Sequence, residues 1–411
     1  MRAAYLFALV YITVGSPICA ATLPESVSPD YYAYDDTLPT FSKSPYSDQL
    51  GIPVTRVTFP SADPSKYSKD NTVIAYLFHG SGDGPHPGMV VLHEWNAASP
   101  KFAFQLCAGI AKAGVDALMV EEPFSLERRP VNPHPPDAEI LSGNVPVMVA
   151  SLHQAVIDAR RGLDYLASRP DIDPNRLGIS GISLGGVLSG IVAGVDPRVK
   201  VVLTIVAGAD FAKGFWNGLL TRRFRGAIER SGYSYKTFAD AVSPFEAANW
   251  ERGFNGHNAL MFNGRYDLVI FPDQARTLSK VLGNAPIVWA NTGHYGLVLS
   301  ANSTVKLAHR FLRAAFFNED LPFQPPASVN ATTFKIGLLV GGQEGLSPVA
   351  AVQMFNFDTE GKASIDGQLS LHGVAGALSV RLNPVVSLGL ELPIGHGTVK
   401  PRPFAMFSLT L

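Results

Sequence analysis

The chain's 411 residues exceed what one ordinary core holds, so a large domain with something smaller beside it is expected. Hydrophobic residues make up 46% and charged residues 16%, enough for a packed interior. The formal net charge is −1, and no Lys/Arg-rich stripe runs along the chain, which argues against nucleic acid as a partner.

Residues 1–21 have the pattern of a signal peptide. Arg2 is followed by an apolar run from Ala3 to Val14, too short to cross a bilayer, then by the break at Ser16-Pro17 and small residues that predict cleavage near Ala20/Ala21. Export to the periplasm or the outside is the expectation. Its removal leaves Cys107 alone, so no internal disulfide forms, and the helical pattern around it points to a buried, inert thiol.

Residues 22–50, rich in Pro, Ser, Asp and Tyr, predict an extended lead-in. Strands are expected over Val54–Phe59 and Thr72–Phe78, a Gly/Pro-rich turn over Gly80–Gly88, and a buried strand over Met89–Leu92. Helices and strands then alternate. Helices are predicted over Lys101–Ala113, Val145–Ser168, Leu184–Val195, Pro272–Leu282 and Thr304–Phe316. Strands are predicted over Asp116–Val120, Arg176–Ser180, Val199–Val206, Ala259–Asn263 and Pro286–Ala290. Such alternation over residues 51–320 implies an α/β domain with a mostly parallel sheet and helices on both faces. Two segments interrupt it, the Pro-rich Pro123–Leu141 and the helical insertion 211–257, and either can overhang a site.

Beyond the linker prolines Pro322, Pro325 and Pro326 the period becomes two. Leu378, Val380 and Leu382 alternate with Ser379 and Arg381, and Val386, Leu388, Leu390 and Leu392 with Ser387, Gly389 and Glu391. Residues 327–411 therefore predict an all-β module. It is either a small sandwich or sheet packed on the large domain, the favoured expectation, or an outer-membrane-like set of strands that associates with a membrane or surface. Four to six strands fall short of the eight that close the smallest common membrane barrels.

Gly181-Ile182-Ser183-Leu184-Gly185 stands between a strand and a helix, the context of a nucleophile elbow. Serine needs a base, and the base needs an orienting carboxylate. Asp267 and His294 follow two later strands, at the ends where open α/β sheets place their sites. Asp210 and Asp273 are rival carboxylates, but the first precedes the insertion and the second begins a helix. An oxyanion hole requires the Leu184 N–H and a backbone N–H from the loop after Met89–Leu92, at Glu94 or Trp95. Adjacent Arg128 and Arg129 are either solvated or partners for an anionic group on a substrate. Neither a His-Glu-x-x-His metal motif nor a phosphate loop is present, and the chemistry needs no cofactor.

Val90-Val91-Leu92-His93-Glu94-Trp95 resembles the oxyanion loop of dienelactone-hydrolase-like proteins. Gly178–Gly186, Asn263–Asp267 and Thr292–Tyr295 resemble the triad motifs of prolyl-oligopeptidase-like and acetyl-xylan-esterase-like α/β hydrolases. The resemblance spans roughly residues 50–318 and implies the α/β-hydrolase fold with Ser183, Asp267 and His294 as the triad. A serine stands where dienelactone hydrolase has cysteine, so its lactone substrate is not implied, and the N-terminal propeller of oligopeptidases is absent. The expectation is a serine esterase acting on a small-molecule or carbohydrate ester. The alternatives are a serine peptidase and an inert surface- or carbohydrate-binding protein.

Overall fold

A computed structural model describes residues 27–410, apart from 29, 47–49, 131–138, 251–252, 300, 320–321, 330, 332, 342–344, 359–361, 372 and 395–399. The expected signal peptide and part of the Pro-rich interruption lie outside the described residues.

In chain order the large domain contains β1 (Ser42–Tyr46), β2 (Val54–Pro60), β3 (Thr72–Phe78), β4 (His86–Leu92), α1 (Lys101–Lys112), β5 (Asp116–Val120), α2 (Val145–Ala167) and β6 (Ile172–Ile182). These are followed by α3 (Leu184–Val195), β7 (Val199–Ile205), α4 (Phe211–Asn217), α5 (Arg225–Arg230), α6 (Tyr235–Ala241) and β8 (Ala259–Gly264). The domain ends with α7 (Pro272–Val281), β9 (Ile287–Ala290), α8 (His294–Leu299), α9 (Ala301–Phe317) and β10 (Ser328–Val329). The strands form one ten-stranded sheet in the order β1-β2-β3-β5-β4-β6-β7-β8-β9-β10. The first three strands join antiparallel, and every pairing from β5 to β10 is parallel. Val90, Val91, Ile179, Val202 and Leu203 are fully buried because helices cover both faces. Residues of α2, α3 and α7 pack on one face, and residues of α1 and α9 on the other.

Several expectations need correction. The lead-in is not merely extended, since β1 adds an edge strand to β2. The Gly/Pro-rich turn ends early, because β4 starts at His86. A short helix, α8, begins at His294, where only a loop was expected. The two-residue β10 pairs with β9, so the large sheet takes one short strand from beyond the linker prolines.

The C-terminal module is neither a sandwich nor a sheet lying on the large domain. Strands β11 (Thr333–Gly341), β12 (Gly345–Asn356), β13 (Ala363–Ser370), β14 (Gly373–Arg381), β15 (Val386–Pro393) and β16 (Arg402–Thr410) form a closed barrel. Neighbours run antiparallel, and β16 closes on β11. Six strands thus suffice for closure. The polar members of each alternating pair face inward. Thr333, Lys335, Ser364, Asp366, Gln368, Ser379, Ser387 and Thr410 are buried beside Leu339, Phe404 and Met406. Lys335 Nζ donates to Asp366 Oδ2 at 2.7 Å, and the Ser379 hydroxyl donates to the same oxygen at 2.6 Å.

Candidate active site

Ser183 stands at the end of β6, where the chain turns into α3. Its φ of 55° lies in the left-handed region, so its backbone is strained, and Ser183 N–H is anchored on Ile205 O at 2.9 Å. Glycines permit this turn. A Cβ at Gly181 would strike Gly185 O, and one at Gly185 would stand 2.5 Å from His93 O and Leu92 O. The result raises the Ser183 hydroxyl above the sheet at the N-terminus of α3.

The structure brings Asp267 and His294 to it. Ser183 Oγ lies 2.9 Å from His294 Nε2, and His294 Nδ1 lies 2.7 Å from Asp267 Oδ2. A carboxylate only accepts, so Nδ1 carries the ring proton and Nε2 is free to accept from the serine hydroxyl. Asp267 is buried, and its other oxygen accepts from Val269 N–H at 2.8 Å and Ile270 N–H at 2.9 Å. Three donors therefore fix the carboxylate against the imidazole. The rival carboxylates are occupied elsewhere. Asp210, at the N-cap position of α4, accepts from the Thr277 hydroxyl with its carboxylate, and Asp273 pairs with Lys213.

The loop after β4 is tied to the same turn. Gly185 N–H donates to His93 O at 3.2 Å. His93 accepts from Glu122 N–H at Nε2 (3.1 Å), so its Nδ1 donates to Glu94 O (2.8 Å). Burial lowers the His93 pKa to about 4, and the ring stays neutral as a brace for this loop. Leu184 occupies the first helical position, where an N–H has no partner within the helix. Leu184, Glu94 and Trp95 all line the cavity above Ser183. Burial also raises the Glu94 carboxyl.

That cavity has a volume of about 420 Å³. Its wall is mainly apolar, with Trp95, Phe102, Ile182, Phe211, Phe215 and Ile270 prominent, and His294 and the half-exposed Tyr295 lie at one side. The insertion 211–257 supplies Phe211, Phe215, Leu220 and Arg223, so it does overhang the site as expected.

The adjacent arginines need correction. Arg128 is fully buried, not aimed at a substrate. Its guanidinium lies 2.8 Å from Asp158 Oδ2 and 3.3 Å from Asp70 Oδ1, and it donates to the carbonyls of Asp70 and Glu121. Two buried carboxylates on distant segments, invisible to local pattern, draw it inside. Arg129 donates to Asn96 Oδ1 and Phe124 O beside a smaller neighbouring cavity. The arginine at the main cavity is Arg223, whose guanidinium lies 5.4 Å from the Trp95 ring centre. In the sequence Arg223 is one of three arginines of the insertion, with Arg222 and Arg225, that carry the same two readings as Arg128 and Arg129, solvated or partners for an anionic group on a substrate. No group of three or more metal-ligating side chains occurs among the described residues.

Residues 153–297 match the prolyl oligopeptidase family. A protein of Bacillus subtilis (strain 168) named as a hydrolase, YtaP, is 36% identical over 55 residues, which are 13% of this chain and 18% of that relative's length. Among solved structures, the acetyl xylan esterase of Paenibacillus sp. R4 aligns with a TM-score of 0.52 at 20% identity, over 67% of this chain and 89% of that one. Acetyl xylan esterase 1 of Thermoanaerobacterium sp. JW/SL YS485 aligns with the same TM-score at 16% identity, over 72% and 96%. The large domain thus has the α/β-hydrolase fold, and residues 153–297 within it are similar to the prolyl oligopeptidase family.

Proposed function

We propose that this hydrolase domain cleaves carboxylic esters through Ser183, His294 and Asp267, by way of an acyl-enzyme. One observation carries the proposal: a strained serine at a strand-to-helix turn shares its hydroxyl with an imidazole whose other nitrogen is held by a buried carboxylate. His294 Nε2 takes the hydroxyl proton as Ser183 Oγ attacks the ester carbonyl carbon. Asp267 keeps the proton on Nδ1 and stabilises the imidazolium. The N–H of Leu184 and a backbone N–H of Glu94 or Trp95 receive the developing oxyanion. His294 returns the proton to the departing alkoxide, then activates water to release the acid.

An ester is favoured over a peptide by the cavity. About 420 Å³ of mainly apolar space suits a compact acyl or alcohol group of a small-molecule or carbohydrate ester. The match to the prolyl oligopeptidase family makes a serine peptidase the alternative. A series of nitrophenyl esters of increasing acyl length, run beside peptide nitroanilides, separates the two. Ester turnover is expected, and Ser183→Ala should lower kcat by roughly 10⁴–10⁶. Amide cleavage without ester cleavage would reverse the substrate class, and full turnover by Ser183→Ala would remove the triad assignment. The apolar start of the sequence supports export with cleavage near Ala20/Ala21, which N-terminal sequencing of the mature protein checks.

A further inference from the structure

The barrel is inside out for a protein in water. Every charged residue within its described strands, namely Lys335, Asp366, Arg381, Glu391 and Arg402, shares the inward register. The outward positions are apolar, Gly or Pro. On β14 and β15 the facing Leu378 and Leu390 are 49% and 48% exposed, and on β11 and β16 the facing Leu338 and Phe407 are 44% and 51% exposed. Leu346, Val352, Met354, Ile365, Leu369 and Val374 continue the belt around the other strands. Soluble proteins rarely expose contiguous apolar surface beyond a few hundred Å².

We infer that this barrel, closed with two strands fewer than the smallest common membrane barrels, sits in a lipid bilayer and holds the hydrolase domain at the membrane surface. Three features select lipid over a protein partner. The belt runs right round a closed barrel, so a protein docked on one side would leave the opposite side bare, whereas lipid covers every direction. Closure also leaves no open strand edge, a condition for a β-structure surrounded by hydrocarbon. The height fits: a nine-residue strand at ~3.3 Å per residue and a tilt near 45° rises about 21 Å, close to the outward apolar band of membrane barrels. The charged groups that a bilayer would reject are turned inside, where Lys335 Nζ donates to Asp366 and Arg381 donates to Thr410 Oγ1 at 2.7 Å.

One end of the barrel touches the loops that carry the site. The Thr333 hydroxyl donates to Asn291 O at 2.5 Å, three residues before His294, and the Arg381 guanidinium lies 3.7 Å from the ring centre of Tyr266, beside Asp267. Insertion would hold these loops at the lipid–water boundary.

The test is flotation of the full-length protein with dimyristoylphosphatidylcholine vesicles, washed in high salt and alkaline carbonate. Wild type is expected to float through both washes. Leu378→Lys, in the middle of the belt, should lower the vesicle-bound to free ratio by about thirtyfold or more, and Leu382→Lys, at its rim, by no more than about fivefold. Both variants should hydrolyse a water-soluble ester at the wild-type rate, which reports an intact hydrolase domain. Wild type left unbound as a monomer overturns the inference. So does wild type left as a discrete lipid-free oligomer, which would assign the belt to self-association. Equal flotation of Leu378→Lys and wild type, or equal loss in both variants, contradicts insertion with depth.

Discussion

At the scale of single residues, burial decides which side chains can take part in chemistry. Arg128 is enclosed with Asp70 and Asp158, and removing its charge would strand two carboxylates away from water. Arg128→Ala should cost about 3–5 kcal/mol of folding stability, read from denaturant unfolding. The remaining folded enzyme should keep its KM, whereas a substrate-binding role would raise KM and spare stability. Nothing in the Arg128-Arg129 dipeptide announces this, because Asp70 and Asp158 lie far away along the chain. Ser183, Asp267 and His294 were legible because each is tied to a strand end and the order of strands survives in the sequence. Arg223 was not, because its relation to Trp95 depends on how the insertion folds back.

At the scale of elements, the turn between β6 and α3 depends on close backbone approach. Gly185→Ala would press a methyl against His93 O and Leu92 O, forcing apart α3 and the loop after β4 that is proposed to bind the oxyanion. We expect a loss of about 1–3 kcal/mol in stability. The fall in kcat should exceed the change in KM, and steady-state kinetics beside thermal melts checks both. The parallel strands were legible as continuous apolar runs. The strand β1 was not, because its five residues are all exposed and carry no buried period. In the barrel, alternation showed two faces to each strand without saying which one meets solvent. That assignment comes only from closure, which turns the serines, Lys335 and Asp366 inward.

At the scale of the whole molecule, folding should respond to pH through carboxyls whose hold on a proton is strengthened by burial. Burial, reinforced by Glu127, raises Glu121 to about 8 from 4.5, and burial raises Asp158 to about 6 from 3.8 despite Arg128. A raised carboxyl binds its proton more tightly when folded. Its contribution is complete below the unfolded value and is lost as pH climbs through the folded one. Stability from Glu121 should therefore fall between pH 4.5 and about 8, and Glu121→Gln should flatten that part of a Tm-against-pH curve. An unchanged slope in the variant would place the titration elsewhere. The chain as a whole joins a hydrolase domain to a barrel with an apolar exterior, and everything proposed for its chemistry rests on Ser183 being the nucleophile. Intact-protein mass spectrometry after treatment with a fluorophosphonate tests this most directly, because attack by Ser183 Oγ on phosphorus expels fluoride and leaves a stable ester. The account predicts a single adduct, mapped to Ser183 and absent from Ser183→Ala and His294→Ala. An adduct at another residue, or none on the folded wild-type protein, would contradict it.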